Sequence, residues 1–228
     1  FVISHRVISI LLLAILIRFS SSVRRFLETH SGYRGGVENE FTHYKKITNL
    51  EEKDGKIDVL TFAIKADEGD IFQKDVLLLI DELTNNSWQT PYSSRVESIT
   101  NHQYTKVNGD DIDIGDFITN IDSLTEDDLS NLKSLALKED NVVHFILSEN
   151  SKASLVNIYL EMPEDVTFTE PMQFAKEQKE YFEEKYPDIF VGIAGTVQYA
   201  HNFQTTAERD AQTMYPIFVI LIFILSYI

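Results

Sequence analysis

Cysteine is absent from the 228 residues. That excludes a disulfide framework, a thiolate zinc site and a thiol nucleophile, whichever redox compartment the chain occupies. Equally absent are G-x-S-x-G, the phosphate-binding P-loop, G-x-G-x-x-G and H-E-x-x-H, so the common hydrolase, nucleotide-binding and metalloprotease signatures are missing. Basic residues are scarce against acidic ones: 20 Lys+Arg face 36 Asp+Glu, a formal net charge of -16. An acidic surface repels phosphate backbones, because nucleic-acid binding depends on Lys and Arg displacing condensed counterions. Nucleic acid is excluded as a partner on that ground.

The charge is concentrated in the middle of the chain. Residues 1–17 carry one Arg and no acid, residues 18–46 six basic and three acidic residues, and residues 47–212 carry 13 basic and 33 acidic ones. Residues 213–228 carry no charge at all. Both ends are apolar, Val7 through Ile17 and Met214 through Ile228, and both read as membrane segments, a spanning helix needing about 20 mainly apolar residues. The second stops while still apolar, and the chain opens on Phe1 rather than Met; the expectation is a fragment of a longer membrane protein. Arg18, Arg24 and Arg25 outnumber Arg6 across the first segment, which by positive-inside counting places the N-terminus outside.

Between the ends the signals alternate between strand and helix. Residues 57–66 alternate and are β-rich, predicting a strand. Asp70 is positioned to cap a helix whose apolar residues Phe72, Val76, Leu79, Ile80 and Leu83 follow the 3.6 period. Residues 95–100 predict a second strand after the turn at Thr90-Pro91-Tyr92. Thr125 and Asp128 make a capping box for a helix with Leu129, Leu132, Leu135 and Ala136 inward. Residues 142–147 and 155–160 read as a hairpin joined by residues 148–152. Thr169 is the expected cap of a helix with Pro171 in its first turn, Met172, Ala175, Phe182 and Tyr186 on its dry face, and Lys176 with Glu180 and Lys179 with Glu183 as surface pairs. Residues 189–193 make a last strand, and the chain is helical again from Thr196. The resulting class is α+β, with an order close to two split βαβ units of ferredoxin-like type.

Few residues invite chemistry. The loop from Asn108 to Asp116 alternates carboxylates closely, but position 6 counted from Asp111 is Asp116 where an EF-hand needs Gly, and position 12 is Asp122 where it needs Glu. An acidic surface turn is the reading. The histidines at 5, 30, 43, 102, 144 and 201 lack metal-ligand spacing, and His144 reads as a structural residue in a strand. Asn85-Asn86-Ser87 matches a glycosylation sequon, and Trp88 is expected in the core. No catalytic, cofactor-binding or metal-ligating residue is nominated, the substrate-binding residues are unassigned, and the chain is not expected to be an enzyme.

One segment carries a resemblance. Ser87-Trp-Gln-Thr-Pro-Tyr-Ser-Ser-Arg-Val-Glu-Ser-Ile-Thr-Asn101, following a helix, resembles the first extracytoplasmic domain of resistance-nodulation-division (RND) superfamily exporters, in the MMPL-like branch. The order of pieces is similar too: a first transmembrane helix at residues 1–19, a porter-type α+β domain at 57–195, and a helix at 196–228 that runs through Glu208-Arg-Asp210 into a truncated second transmembrane helix. Residues 20–56 form an irregular connector, and the composition of 18–46 departs from the pattern, for which a frameshifted stretch is one hypothesis. The resemblance implies proton-driven export of hydrophobic or lipidic compounds from a bacterial inner membrane, with the central domain periplasmic and lining part of the substrate path. It implies as partners membrane lipid, the remaining transmembrane helices, a second porter domain of the same protein and a homo-oligomer. The proton relay would lie on later helices, and no residue here is assigned to it. A ligand-sensing domain of a two-helix membrane receptor shares the same layout and is the competing reading; a periplasmic scaffold is the third.

Overall fold

The computed structural model describes residues 58–108, 111–163 and 166–227. The first apolar segment and the connector at 20–56 lie outside the described residues. The chain divides into two compact units, one of residues 42–201 and one to which residues 202–228 belong.

In the first unit, β1 (Asp58–Ala66), β2 (Ser93–Glu97), β5 (Ala153–Leu160) and β6 (Ile189–Gly195) form a four-stranded sheet in the order β2-β5-β1-β6. Each neighbouring pair is antiparallel, and β1 registers Leu60 opposite Ile158 and Phe62 opposite both Val156 and Ile193. The connections are α1 (Lys74–Ser87) between β1 and β2, and α3 (Thr169–Lys185) between β5 and β6. Thus β5 lies between the strands of the first strand-helix-strand unit, and β1 between those of the second. Between β2 and β5 the chain makes a separate hairpin, β3 (Gln103–Asn108) with β4 (Asp111–Asp116), then a short turn of 3-10 helix and α2 (Glu126–Ala136).

Period-two alternation puts Leu60, Phe62 and Ile64 of β1 with Val156, Ile158 and Leu160 of β5 on the covered face, all at 0% exposure. Val76, Leu79, Ile80 and Leu83 of α1 and Met172, Ala175 and Phe182 of α3 join them in one core. Truncating such a side chain as Phe62 to Ala costs about 3–5 kcal/mol, from lost transfer energy plus the cavity left behind. At the end of β6, Gly195 has φ +98, and a Cβ there would run into the Val59 carbonyl oxygen. Only glycine supports that turn.

Several local expectations change. Asp70 does not cap α1: its Oδ1 accepts from the Phe72 N–H at 2.8 Å, and α1 begins later, with Gln73 as N-cap and no side-chain cap bond. The other Asp70 oxygen holds Lys133 of α2 at 2.6 Å. β2 ends at Glu97, so residues 98–100 leave the sheet. Residues 111–116 are no acidic turn but the strand β4, and Asn108 is the last residue of β3. Residues 142–147 are not a continuous strand, and of the expected hairpin only an isolated antiparallel bridge between Leu147 and Ser154 forms. There Ile146 N and Leu147 N both donate to the Val142 carbonyl and His144 N to that of Leu147, local turns that bury Val142, Ile146 and Leu147 together and turn Phe145 outward at 67% exposure. Thr169 is the first residue of α3 rather than its cap, which is Phe168. The capping box at α2 forms as its spacing predicts: Thr125 accepts from Asp128 N and Asp128 accepts from Thr125 N. Leu129 and Ala136 of that helix are buried, whereas Leu135 is exposed.

From Thr196 a helix, α4 (Thr196–Tyr227), runs with Pro216 inside it. Among the described residues no helix is long and apolar enough to cross a membrane. Residues 217–225 are uninterruptedly apolar, about 14 Å of helix at 1.5 Å per residue, and the turns before them carry Glu208, Arg209 and Asp210. The segment at 196–227 is therefore helical as expected, but as described it lacks the length and apolarity of a span.

Candidate functional site

The segment that carries the resemblance runs from the last residue of α1 through β2 into the turn before β3, and four of its polar residues, Ser87, Thr90, Ser98 and Thr100, are buried. Ser98 and Thr100 are at 0% and 2% exposure, beside Thr84 of α1 at 2%. Thr84 Oγ1 lies 2.6 Å from the Ile80 carbonyl and 2.8 Å from Ser98 Oγ, which lies 2.9 Å from Thr100 Oγ1. Each hydroxyl has one proton. The Ile80 carbonyl accepts from Thr84, and Ser98 Oγ also lies 3.3 Å from Asn101 Oδ1, to which it can donate, so all three hydroxyls are hydrogen-bonded. Asn101 closes the turn: its Oδ1 accepts from Ser98 N at 2.8 Å and its Nδ2 donates to the Val96 carbonyl at 2.9 Å. With Ile99 at 0% exposure, the Ser-Ile-Thr-Asn sequence reads as one apolar plug and three polar staples fixing β2 against α1.

Beyond this turn opens a cavity of about 400 Å³, within the range of small-ligand sites. Its lining includes Leu78, Thr84, Asn85, Thr100 and Asn101, the buried Ile118 and Ile121, and the carboxylates of Asp81, Asp116 and Asp122. Asn120, at φ 53, is the N-cap of the short 3-10 turn at Ile121–Ser123, a left-handed position that asparagine tolerates better than most residues. Trp88 also lines the cavity and is 51% exposed, contrary to its expected place in the core. The reason is positional: Ser87 and Thr90 on either side fill the buried positions at this helix end.

Electrostatics differ along the cavity wall. Burial, and then the charge of Asp116, raise the Asp81 carboxyl above its usual value. Asn85 Nδ2 donates to Asp81 Oδ2 at 3.3 Å. Among the described residues no Lys, Arg or His lines the cavity itself, but Lys74 Nζ donates to the carbonyl of Asp122, one of its lining residues. One residue along the helix, Glu82 faces α3 instead and receives Lys185 Nζ at 2.6 and 2.8 Å and Tyr181 OH at 2.9 Å. Burial pulls its pKa upward, but the bonds from Lys185 and Tyr181 outweigh it and the net shift is downward.

The residues singled out in the sequence scatter. Asp116 reaches the cavity and Asn85 of the sequon lines it. His144 stands on an exposed turn at φ 73, its Nδ1 3.6 Å from Glu149, and is no strand residue. Among the described residues no group of three or more His, Asp or Glu side chains is arranged to hold a metal ion. A second hollow, of about 650 Å³, lies where the end of β1 meets Lys185 to Ile189. No family model and no curated protein matches this chain.

Proposed function

We propose that this chain is part of a proton-driven RND-type exporter of hydrophobic or lipidic compounds, with residues 57–195 as a periplasmic porter-type domain beside the substrate path. The observation that supports the reading most is topological. Two strand-helix-strand units are interleaved in the order β2-β5-β1-β6, the ferredoxin-like split βαβ arrangement, and the resembling segment sits at the crossing of the first unit. In this proposal the domain acts by shape and apolar contact, catalyses nothing, and works with membrane lipid, further transmembrane helices, a second porter domain and other copies of the protein. The apolar ends are its membrane anchors in a bacterial inner membrane. A ligand-sensing receptor domain is the second reading, favoured by the cavity beside α1.

Sequencing the source DNA on both sides of the fragment separates the two. Further apolar helices downstream, one with embedded carboxylates, and a second domain of the same strand pattern support the exporter. A signalling domain directly after residue 228 overturns it.

A further inference from the structure

We propose that the outer edge of β6 pairs with the same edge of a second copy of this chain, joining two four-stranded sheets into one. The two ends of the sheet are built differently. β2 is five residues long, carries Arg95 and Glu97, and shifts register against β5 between Ser93 and Arg95; short length, charge and a bulge are devices that keep an edge strand from pairing. β6 has none of them. Its seven residues, Ile189 to Gly195, contain no charge and no proline in a chain of net charge -16. It holds unbroken register with β1, and among the described residues no strand lies on its other side. N–H and C=O groups along that side face outward, and what satisfies them is a strand. A second β6 fits by shape. Laid antiparallel about Gly192, in a two-fold contact, Phe190 of each copy stands opposite Ala194 of the other, and Val191 opposite Ile193. Phe190 is 54% exposed and its ring lies over Gly192, where a Cβ would meet it at 2.9 Å; the small residues at 192 and 194 leave room for one ring from each copy beside the axis. Charge fits too. Gln178, Tyr181 and Lys185 of α3 turn toward α1, so Lys176 and Glu183, on the opposite side at about 100° per residue, turn toward the β6 edge. The strand from Ile189 to Gly192 covers about 10 Å, as do roughly six to seven residues of helix back from Lys185, so the axis passes α3 near Lys179. Lys176 and Glu183 lie on either side of that level, and the two-fold brings Lys176 of each copy to Glu183 of the other. No step of this pairing depends on export, and a sensing domain of this fold would make it too, so the flanking DNA and the dimer are tested separately.

The sequence has no cysteine, so introduced thiols report without background. In the full chain, held in an uncharged detergent, Phe190→Cys/Ala194→Cys is expected to give a disulfide-linked dimer under mild oxidation. Facing residues of an antiparallel pair lie about 4.5–5.5 Å apart, within disulfide reach. Residues 190 and 194 of one strand are about 13 Å apart and cannot close on each other, and the thiols of either single variant stay about as far apart across the axis, so neither single variant links. Sedimentation of the unaltered chain is expected to show a concentration-dependent dimer. Phe190→Lys, which sets a charge on the exposed edge, weakens it about tenfold or more, while Ser94→Lys on the edge of β2 leaves it unaltered. A monomer at every concentration, a dimer that Phe190→Lys leaves intact, or a cysteine pair that links no better than its single variants overturns the proposal. Should Phe190→Lys fail to fold, the cysteine pair against its single variants decides the matter.

Discussion

The two flanks of α1 handle negative charge in opposite ways. Glu82 points to α3, where Lys185 and Tyr181 bond it on both oxygens; Asp81, the preceding residue, lines a cavity with Asp116 and Asp122 and no basic residue among those described. One flank is therefore a closed strap between helices. The other is an open acidic wall whose shape is held by a fully paired hydroxyl chain. Consecutive residues on a helix face about 100° apart, so a single Asp-Glu pair serves both sides. Ion pairing on the α3 flank contributes to the fold, while the charge of the partly buried Asp81 on the cavity flank works against it.

The comparison can be broken at its wall or split between its flanks. The largest effect is expected from Asn101→Ala, which strips the buried Ser98 N–H and the Val96 carbonyl of their partners and costs about 2–3 kcal/mol in urea-denaturation experiments. Glu82→Gln comes next, at up to about 0.5 kcal/mol after allowing for solvent screening of so exposed a pair, and the loss should shrink in high salt. The folded state holds the Glu82 carboxyl below its unfolded pKa. Its contribution is thus present above the unfolded value and disappears as pH falls through the folded one. The smallest effect has the opposite sign. Asp81 titrates higher in the folded chain than in the unfolded one, so its charge destabilises the fold at neutral pH, and that penalty vanishes as pH falls through the folded value. Asp81→Asn should therefore raise the unfolding free energy measured in urea at pH 7 by a few tenths of a kcal/mol and leave stability at pH 3 unchanged. Loss of stability in Asp81→Asn at pH 7 would erase the contrast.

Much of the fold was legible because it rests on local patterns. The 3.6 period of Val76, Leu79, Ile80 and Leu83 located α1, and Thr125 with Asp128 located the start of α2. The hairpin of β3 and β4 was hidden by its composition: counting carboxylates from 108 to 116 drew attention from the alternation of Ile112 and Ile114. Residues 142–147 failed for the converse reason. Their β-branched and aromatic content suggested a strand, but the buried positions are 142, 146 and 147, a spacing that no strand face offers. The cavity was not legible at all, since its walls come from residues 78–88, 100–101 and 116–122, joined only by tertiary packing. A signal did exist in Ser98, Thr100 and Asn101, polar residues alternating with a buried Ile99 where a strand was expected; such a run must either face solvent or pair internally.

The contrast between Asp81 and Glu82 is tested most directly by carbon-detected NMR titration of their side-chain carboxyls in the folded chain. The account predicts that Asp81 titrates above the ordinary aspartate value of about 3.9 and Glu82 below the ordinary glutamate value of about 4.3. Asp81 at or below its ordinary value, with Glu82 unshifted, would contradict it.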